Sequence, residues 1–419
     1  MNYFRYRKSE LCCEEVPIGK IADTVGTPLY IYSYGAFERH FSVFDNAFKK
    51  IPHLVCYSLK ANANGSLLRI VQKLGGGADI VSGGELYMAL RAGIPQNRIV
   101  FSGVGKTEEE LRAAIRAGIL MINIESEGEL ITLKKLSRSI KKKISVSVRV
   151  NPQIDPKTHP YITTGLKKNK FGVLWNDARK LYRDIVKEQY LVPAGISSHI
   201  GSQILELGPF IDAVKSLKSM VQELRGDGIP LALMDIGGGL GIAYKDEVPP
   251  RPDEYAKVIG NELKNIGLTL ILEPGRVLAG NSGIFVTRLL YVKKVPGKTF
   301  YVVDGAMNDL VRPSLYNAYH EIKPVKAVRG GTIKADLVGP ICESGDFFAK
   351  DREMAELNQG DLIAIFGAGA YGYSMSSNYN ARRKSTEVLV KGKEFFVVKK
   401  RESYGDLVKG ESIPPFLEV

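Results

Sequence analysis

Short apolar stretches recur along most of the chain and alternate with segments of helical periodicity. Eight of them, rich in β-branched residues, span 54–60, 78–82, 99–102, 120–124, 145–150, 194–199, 231–236 and 268–273. Among the first five, a new stretch begins every 21 to 25 residues, which leaves room for one helix and two loops. Nearly continuous apolar strands that alternate with helices predict a parallel sheet covered by helices. Eight units favour a closed (β/α)8 barrel of the TIM type, and a doubly wound open sheet is the alternative.

The pattern changes after residue 276. Strand-like segments with turns between them follow at 284–292, 299–303, 362–366, 387–390 and 395–398, and helical periodicity is weak there. These segments predict a β-rich C-terminal domain, a sandwich or barrel. The strand expected at 29–32 can add to its sheet. We therefore expect a barrel over 35–276 and a discontinuous β-rich domain over 1–34 and 277–419.

Composition and charge narrow the class of protein. The 419 residues are 44% hydrophobic and 25% charged, as in ordinary soluble globular proteins. The net charge of +13 comes from basic residues dispersed among acidic ones, which indicates a solvated surface and not a nucleic-acid site. Without a signal peptide or a bilayer-length apolar run, the expected location is the cytoplasm, away from membranes. The spacing of the four cysteines and five histidines predicts neither disulfides nor a metal site.

The conspicuous residues follow the predicted barrel strands, where the chemistry of such barrels is found. They occupy position 60 and the stretches 82–85, 199–202, 237–241 and 273–276. Lys60 is either a surface residue or a desolvated amine that attacks carbonyls. The glycines of 237–241 form either a tight turn or a concavity for phosphate, and they do not match the GxGxxG dinucleotide pattern. The sequence 367–372 does match it, but no βαβ unit surrounds it, so we interpret that match as a coincidence.

Other strand-end residues are ambiguous when taken singly. His199 alone suits a hydrogen-bonded core histidine, and Glu273 beside Arg276 suits a structural ion pair. At one barrel mouth, however, an amine, a glycine nest, an imidazole and a carboxylate suit an aldehyde cofactor with a phosphate tail and a basic ring nitrogen. Pyridoxal 5′-phosphate has these features, because its aldehyde bonds to lysine and its protonated ring accepts electrons.

Seven motifs carry a resemblance to a known family. They are YSLKAN at 57–62, GADIVSGGE at 77–85, SHIGSQ at 198–203, EPGR at 273–276, VRPSLY at 311–316, CESGD at 342–346 and GAYG at 369–372. With these motifs, nearly the whole chain resembles the fold-type III pyridoxal-phosphate decarboxylases. The resemblance implies a carboxy-lyase that uses pyridoxal 5′-phosphate. It extends to those members that convert meso-2,6-diaminopimelate to L-lysine and CO2 in the last step of lysine biosynthesis.

The resemblance also implies a role for each matching residue. Lys60 would bind the cofactor as a Schiff base, and Cys342 would protonate the carbon that loses CO2. His199 would stack on the ring, and Glu273 would pair with the pyridine nitrogen. The remaining implied cofactor contacts are Asp79, Ser202, Gly238, Gly239, Pro274, Gly275, Arg276 and Tyr371. The implied substrate contacts are Arg276, Arg312, Tyr316, Glu343 and Tyr371. A homodimer is implied as well, with Cys342 and Glu343 reaching into the partner's active site.

Other readings differ in the groups that they require. Ornithine or arginine decarboxylases need acids around a cationic distal group, whereas two arginines beside Glu343 suit a distal centre that bears both carboxylate and ammonium. An alanine racemase needs a second acid or base on the opposite ring face. A binding protein without cofactor would have lost Lys60, the glycines or Cys342, and all are present. The polar stretch 160–170 is either a mobile lid or an ordinary surface loop.

Overall fold

The computed structural model describes residues 3–155, 170–328 and 330–417. The chain forms two compact units, Phe37–Gly280 and a discontinuous unit of Met1–Ala36 with Asn281–Val419. Most of the stretch that the sequence leaves open as a lid or a loop, 160–169, lies outside the described residues. None of the helices described is both long enough and apolar enough to cross a bilayer.

The strands are numbered in chain order. They are β1 (Phe4–Arg7), β2 (Glu10–Cys13), β3 (Val16–Pro17), β4 (Leu29–Ser33), β5 (His53–Ser58), β6 (Gly77–Ile80), β7 (Ile99–Phe101), β8 (Met121–Ile124), β9 (Ile144–Arg149), β10 (Leu191–Ser197), β11 (Leu233–Asp235), β12 (Thr269–Leu272), β13 (Gly283–Val295), β14 (Lys298–Val303), β15 (Ile322–Pro324), β16 (Thr332–Val338), β17 (Phe347–Ala355), β18 (Leu362–Ile365), β19 (Thr386–Lys391) and β20 (Glu394–Lys399).

The α-helices are numbered in the same way. They are α1 (Ile18–Val25), α2 (Tyr34–Ala47), α3 (Gly65–Lys73), α4 (Gly83–Arg91), α5 (Glu108–Ala117), α6 (Glu127–Ile140), α7 (Trp175–Ile185), α8 (Gly208–Gly226), α9 (Pro252–Glu262), α10 (Arg276–Ala279), α11 (Arg312–Tyr316) and α12 (Tyr404–Leu407).

The first unit is a closed parallel barrel of the strands β5 to β12. Neighbours in sequence are neighbours in the barrel, and β12 closes it by pairing in parallel with β5, with Leu270 opposite His53. This closure confirms the predicted (β/α)8 barrel and excludes the open sheet. The strands bury an apolar cluster that contains Cys56, Val100, Met121 and Ile271. Burial of such residues away from water is the main favourable contribution to folding.

Several strand ends differ from the prediction, and two of them border the site residues. β5 ends at Ser58, so that Lys60 lies in the 3-10 turn Leu59–Ala61 and not on the strand. The backbone N–H of Ser58 donates to the carbonyl of Pro274 at 3.1 Å, which ties the end of β5 to the turn after β12. β11 is also shorter than the predicted stretch 231–236 and covers only Leu233–Asp235.

The second unit is built mainly of strands, which confirms the predicted β-rich domain. A nine-stranded sheet follows the order β17-β16-β14-β13-β4-β19-β20, and β18 pairs with both β13 and β15. The strands β1, β2 and β3 form a separate antiparallel sheet. β4 pairs antiparallel with β13 and parallel with β19, so the N-terminal segment belongs to the same sheet as the C-terminal strands.

Candidate active site

Lys60 lies at the C-terminal end of the barrel strands beside a buried carboxylate. Its Nζ is 3.2 Å from Oδ2 of Asp79, which stands on β6. The Lys60 side chain is 36% exposed and that of Asp79 is fully buried, so the amine can be reached while its partner is fixed. The hydroxyl of Ser58 donates to the same Oδ2. Oδ1 of Asp79 has no hydrogen-bond partner among the described residues, which leaves one buried acceptor available to a ligand.

His199 follows β10 and faces the glycine run. Burial is the main cause that holds the pKa of His199 well below its usual value, and the positive charges of Lys60 and Arg149 lower it further. The imidazole is therefore neutral at pH 7, and its Nδ1 accepts a hydrogen bond from the backbone N–H of Gly238 at 3.2 Å. A neutral imidazole fixed by the backbone can lie against an aromatic ring without adding a charge.

Glu273 is part of a buried acid cluster at the ends of β11 and β12. Burial is the main cause that raises the pKa of Glu273 well above its usual value, and Asp235 adds to it. Burial also raises the pKa of Asp235 to about 6, while its hydrogen bond to Glu273 opposes that rise. Asn123 Nδ2 donates to Asp235 Oδ2 at 2.9 Å, and Ser102 Oγ donates to Glu273 Oε1 at 3.3 Å. Glu273 therefore holds a proton that a basic ligand can take.

Arg276 begins α10, and its guanidinium makes hydrogen bonds to two hydroxyls. Nη2 is 3.0 Å from Ser202 Oγ, and Nη1 is 2.7 Å from Tyr244 Oη. The residue is only 7% exposed, so the geometry of the fork is fixed. A planar guanidinium held in this way is suited to two-point contact with a carboxylate or phosphate.

The glycine run provides a close approach to the backbone. A Cβ at Gly238 would lie 2.2 Å from the Glu273 carbonyl, and one at Gly239 would lie 2.6 Å from the Gly201 carbonyl. Gly239 also has φ of +110°, which favours glycine. Because side chains are excluded here, the backbone can approach a phosphate. This cradle, the acid Glu273 and the accessible amine of Lys60 fit pyridoxal 5′-phosphate.

The predicted residues Pro274 and Gly275 lie in the turn after β12, and the β-rich unit holds Arg312, Tyr316, Cys342, Glu343 and Tyr371. Arg312 Nη1 lies 2.9 Å from His320 Nε2, and His320 Nδ1 lies 2.7 Å from the Phe366 carbonyl. Since a carbonyl only accepts, Nδ1 carries the hydrogen and Nε2 accepts from the guanidinium. Tyr316 ends the same short helix, α11, and is partly exposed. The two predicted substrate residues of this helix are thus presented together.

Cys342 and Glu343 lie in a loop before β17 that is tied to α11. The hydroxyl of Ser314 in α11 donates to the Gly345 carbonyl at 2.6 Å. Cys342 is an exposed thiol, whereas Cys12, Cys13 and Cys56 are buried. The same unit contains Tyr371 at φ +56°, in the left-handed region. The unit therefore holds α11 and the loop of Cys342 and Glu343 against each other.

Several residues of the barrel site were not predicted from the sequence. They are Ser58, Ser102, Asn123, Asp235 and Tyr244, all described above by their hydrogen bonds. Asp235 and Asn123 both lie near the ends of barrel strands. A polar residue at such a position was the only feature of the sequence that pointed to them as site residues. A serine or an asparagine there is also compatible with ordinary packing, and the sequence does not distinguish the two.

Comparison with known proteins relates this geometry to a family. The model of the pyridoxal-dependent decarboxylase family, pyridoxal binding domain, matches residues 34–280. The chain is 47% identical to the diaminopimelate decarboxylase of Aquifex aeolicus over 97% of each chain. It is 45% identical to that of Vibrio cholerae over 99% of this chain and 100% of the relative.

Solved structures agree with this result. The diaminopimelate decarboxylase of Helicobacter pylori, complexed with L-lysine, superposes with a TM-score of 0.91 at 43% identity and covers 93% of this chain and 98% of its own. The enzyme of M. jannaschii gives a TM-score of 0.95 at 37% identity and covers 99% of both chains.

Proposed function

This chain belongs to the pyridoxal-dependent decarboxylase family, among the diaminopimelate decarboxylases, and we propose that it converts meso-2,6-diaminopimelate to L-lysine and CO2. It is a pyridoxal-phosphate-dependent amino-acid decarboxylase. The observation that carries the proposal is the accessible amine of Lys60, held 3.2 Å from a buried carboxylate at the barrel mouth. The relative from H. pylori is complexed with L-lysine, the proposed product.

Lys60 is the residue that bonds covalently to the cofactor. Asp79 keeps its amine in place, because the carboxylate is buried and also accepts from Ser58. Pyridoxal 5′-phosphate, when bound, supplies an aldehyde that bonds to amines and a ring that accepts the electrons left by CO2. Lys60 would hold the cofactor through its amine, and Asp79 would keep that amine in place when a substrate amine displaces it.

Glu273 controls the proton at the ring nitrogen. Its pKa is raised in the protein, so it enters the complex as an acid and transfers its proton to a basic nitrogen, leaving a carboxylate paired with a cation. His199, which stays neutral, covers the ring face. The glycine cradle, Ser202 and the turn 273–276 hold the phosphate by backbone and hydroxyl donors.

The substrate's distal centre carries both a carboxylate and an ammonium. Arg276 and Arg312 bind the carboxylate together with Tyr316, Glu343 binds the ammonium, and Tyr371 lines the pocket. Cys342 then protonates the carbon that has lost CO2. The Sγ–H bond breaks, a C–H bond forms with the electron pair that CO2 left behind, and the thiolate recovers a proton from solvent.

The active site is completed in a homodimer, in which Cys342 and Glu343 serve the site of the partner subunit. Cys342 is exposed in the single chain, as a residue that serves a partner's site must be before assembly. Closed two-fold dimers are the commonest soluble oligomers.

A substrate panel tests the proposal. The holoenzyme is incubated separately with meso-diaminopimelate, ornithine, arginine, carboxynorspermidine and L-alanine, and CO2, amines and D-alanine are measured. We expect L-lysine from meso-diaminopimelate at a kcat/KM at least about a hundredfold above the other decarboxylations, because a buried unpaired charge strongly opposes a wrong distal group. Preferred decarboxylation of ornithine, or racemisation of alanine, would contradict the assignment.

A further inference from the structure

We propose that Asn380 is a positioning residue that holds the Cys342 backbone, and thereby sets where the thiol delivers its proton. The inference rests on the proposed function, because it assumes that Cys342 is the proton donor. It concerns a loop of the β-rich unit that the motifs did not single out, residues 376–382, called here the 376–382 loop.

The Cys342 loop is fixed on one side by a buried acid. Asp346 is 4% exposed, and its carboxylate accepts from the backbone N–H groups of Ile341 and Met307, each at 2.7 Å. The backbone also folds back on itself, because the N–H of Asp346 donates to the Glu343 carbonyl at 3.0 Å. These contacts hold both ends of the loop but leave the amide of Cys342 itself to another partner.

Asn380 provides that partner. Its side-chain Oδ1 accepts from the backbone N–H of Cys342 at 3.3 Å. Asn380 has φ of +55°, and the next residue, Ala381, has φ of +52°. The left-handed region costs about 1 kcal/mol for a residue with a Cβ, and asparagine tolerates it better than most. The sequence therefore retains an uncommon backbone that aims an amide oxygen at Cys342.

The 376–382 loop is itself anchored to the unit. The backbone N–H of Ser377 donates to the Asn308 carbonyl at 2.9 Å, and Arg382 Nε donates to Asn308 Oδ1 at 3.1 Å. A second contact lies beside Asn380, where the Tyr379 phenol donates a hydrogen bond to the Glu343 carboxylate, and this raises the pKa of the phenol. The loop that carries Asn380 is therefore anchored at both of its ends.

The position of the thiol decides the product. When the proton reaches the substrate carbon, the amine product forms and the cofactor is regenerated. A proton delivered to the aldehyde-derived carbon of the cofactor would instead, with one water, leave the amine on the cofactor as pyridoxamine 5′-phosphate and release the decarboxylated substrate as an aldehyde. If Cys342 loses its hydrogen bond to Asn380, we expect more of the cofactor to end as pyridoxamine 5′-phosphate.

The test uses a glycine pair. Asn380→Gly tolerates the positive φ but removes the acceptor, whereas Ala381→Gly makes a similar backbone change one residue away and keeps it. Two quantities are measured: pyridoxamine 5′-phosphate formed per lysine in the holoenzyme, and the rate at which iodoacetamide labels Cys342 in the apoenzyme. Asn380→Asp retains an acceptor and serves as the conservative variant, and Cys342→Ala reports on the donor itself.

We expect Asn380→Gly to raise both quantities about fivefold, as the loss of one positioning hydrogen bond would. Ala381→Gly should leave both near the parent, and Asn380→Asp should keep the product ratio near the parent. If Cys342→Ala increases pyridoxamine 5′-phosphate but Asn380→Gly does not, the positioning role of Asn380 is wrong. If Cys342→Ala itself leaves the product ratio unchanged, the proton-donor role in the proposed function fails, and this inference fails with it.

Discussion

Glu273 illustrates how burial sets the chemistry of a single residue. Two carboxylates, Asp235 and Glu273, are buried at the ends of the neighbouring strands β11 and β12, and a charge on each is costly in a low-dielectric site. The cluster therefore retains a proton, and Glu273 is the acid with the strongly raised pKa. A basic ring nitrogen relieves this cost when it takes the proton.

Replacing this acid tests the idea at the residue scale. Glu273→Gln keeps the shape but cannot transfer a proton to the ring nitrogen. We expect kcat to fall by about a hundredfold or more, within the range of general acid–base contributions. The visible absorption of the bound cofactor should persist, because Lys60 is unchanged. The control is Glu127→Gln on the exposed side of α6, which should match the parent. An unchanged kcat in Glu273→Gln would show that the acid has no part in the reaction.

A second buried acid gives a pH-dependent stability. Burial raises the pKa of Asp309 from 3.8 to about 6, although Ser385 Oγ donates to its Oδ1 at 2.6 Å. The native state therefore holds a proton that the unfolded chain releases, and stability falls as pH rises from about 4 to about 6.

Asp309→Asn should remove this dependence. Between pH 4 and 7, the parent is expected to lose about 2 to 3 kcal/mol of unfolding free energy relative to the variant. Urea denaturation at several pH values measures the difference. Asp246→Asn, whose side chain is 84% exposed, is the control and should follow the parent. Parallel pH profiles for Asp309→Asn and the parent would refute the raised pKa.

At this scale the sequence indicates the residues that stand in motifs, such as Lys60, His199 and Glu273. It does not indicate Asn123 or Asp235 as their partners, because those contacts join strands far apart in the chain. It also does not indicate Asn380, because its proposed role depends on a contact between the 376–382 loop and the loop of Cys342.

The glycine run after β11 shows how an element creates a binding surface. Gly239 combines a positive φ with a close carbonyl, so any side chain there displaces the backbone. The adjacent strand end at Glu273 is held by its N–H, which donates to the Gly237 carbonyl at 2.9 Å. The loop and the turn after β12 therefore form one rigid edge.

Gly239→Ala should weaken cofactor binding. The Cβ would lie 2.6 Å from the Gly201 carbonyl, so the cradle must open. We expect the dissociation constant of pyridoxal 5′-phosphate from the apoenzyme to rise at least about tenfold, on the scale of the 1–3 kcal/mol that backbone strain costs. Gly128→Ala in α6, where no atom lies within 4 Å of the new Cβ, should leave binding unchanged. Equal binding by the two variants would contradict the cradle.

Barrel strands were the most predictable elements. Their apolar runs and regular spacing reflect burial on both faces, which leaves a strong signal in the sequence. Their exact ends were harder to predict. β5 ends at Ser58, whose N–H donates to the Pro274 carbonyl more than two hundred residues away, and Lys60 lies in the turn that follows. In the β-rich unit, the order of the strands depends on pairing between segments far apart in the chain, as between β4 and β13. The hydrophobic periodicity of each strand does not reveal its partner.

At the scale of the whole molecule, the proposal places the proton donor and the lysine of one active site on different subunits. Lys60→Ala and Cys342→Ala are each expected to be inactive or nearly so. When equal amounts are unfolded and refolded together, random pairing should restore about a quarter of the parent activity, because half of the dimers carry one intact site. Refolding each variant alone is the control. No recovery in the mixture would place both residues in the same subunit's site.

Covalent trapping of the cofactor on a single lysine shows whether Lys60 is the residue that binds it. The holoenzyme is reduced with borohydride, digested, and analysed by peptide mass spectrometry, with and without meso-diaminopimelate present at the moment of reduction. We predict that the pyridoxyl group is found on Lys60 alone, and that the substrate strongly reduces this labelling by displacing the lysine amine. Labelling of another lysine, or labelling of Lys60 that meso-diaminopimelate does not change, would contradict the account.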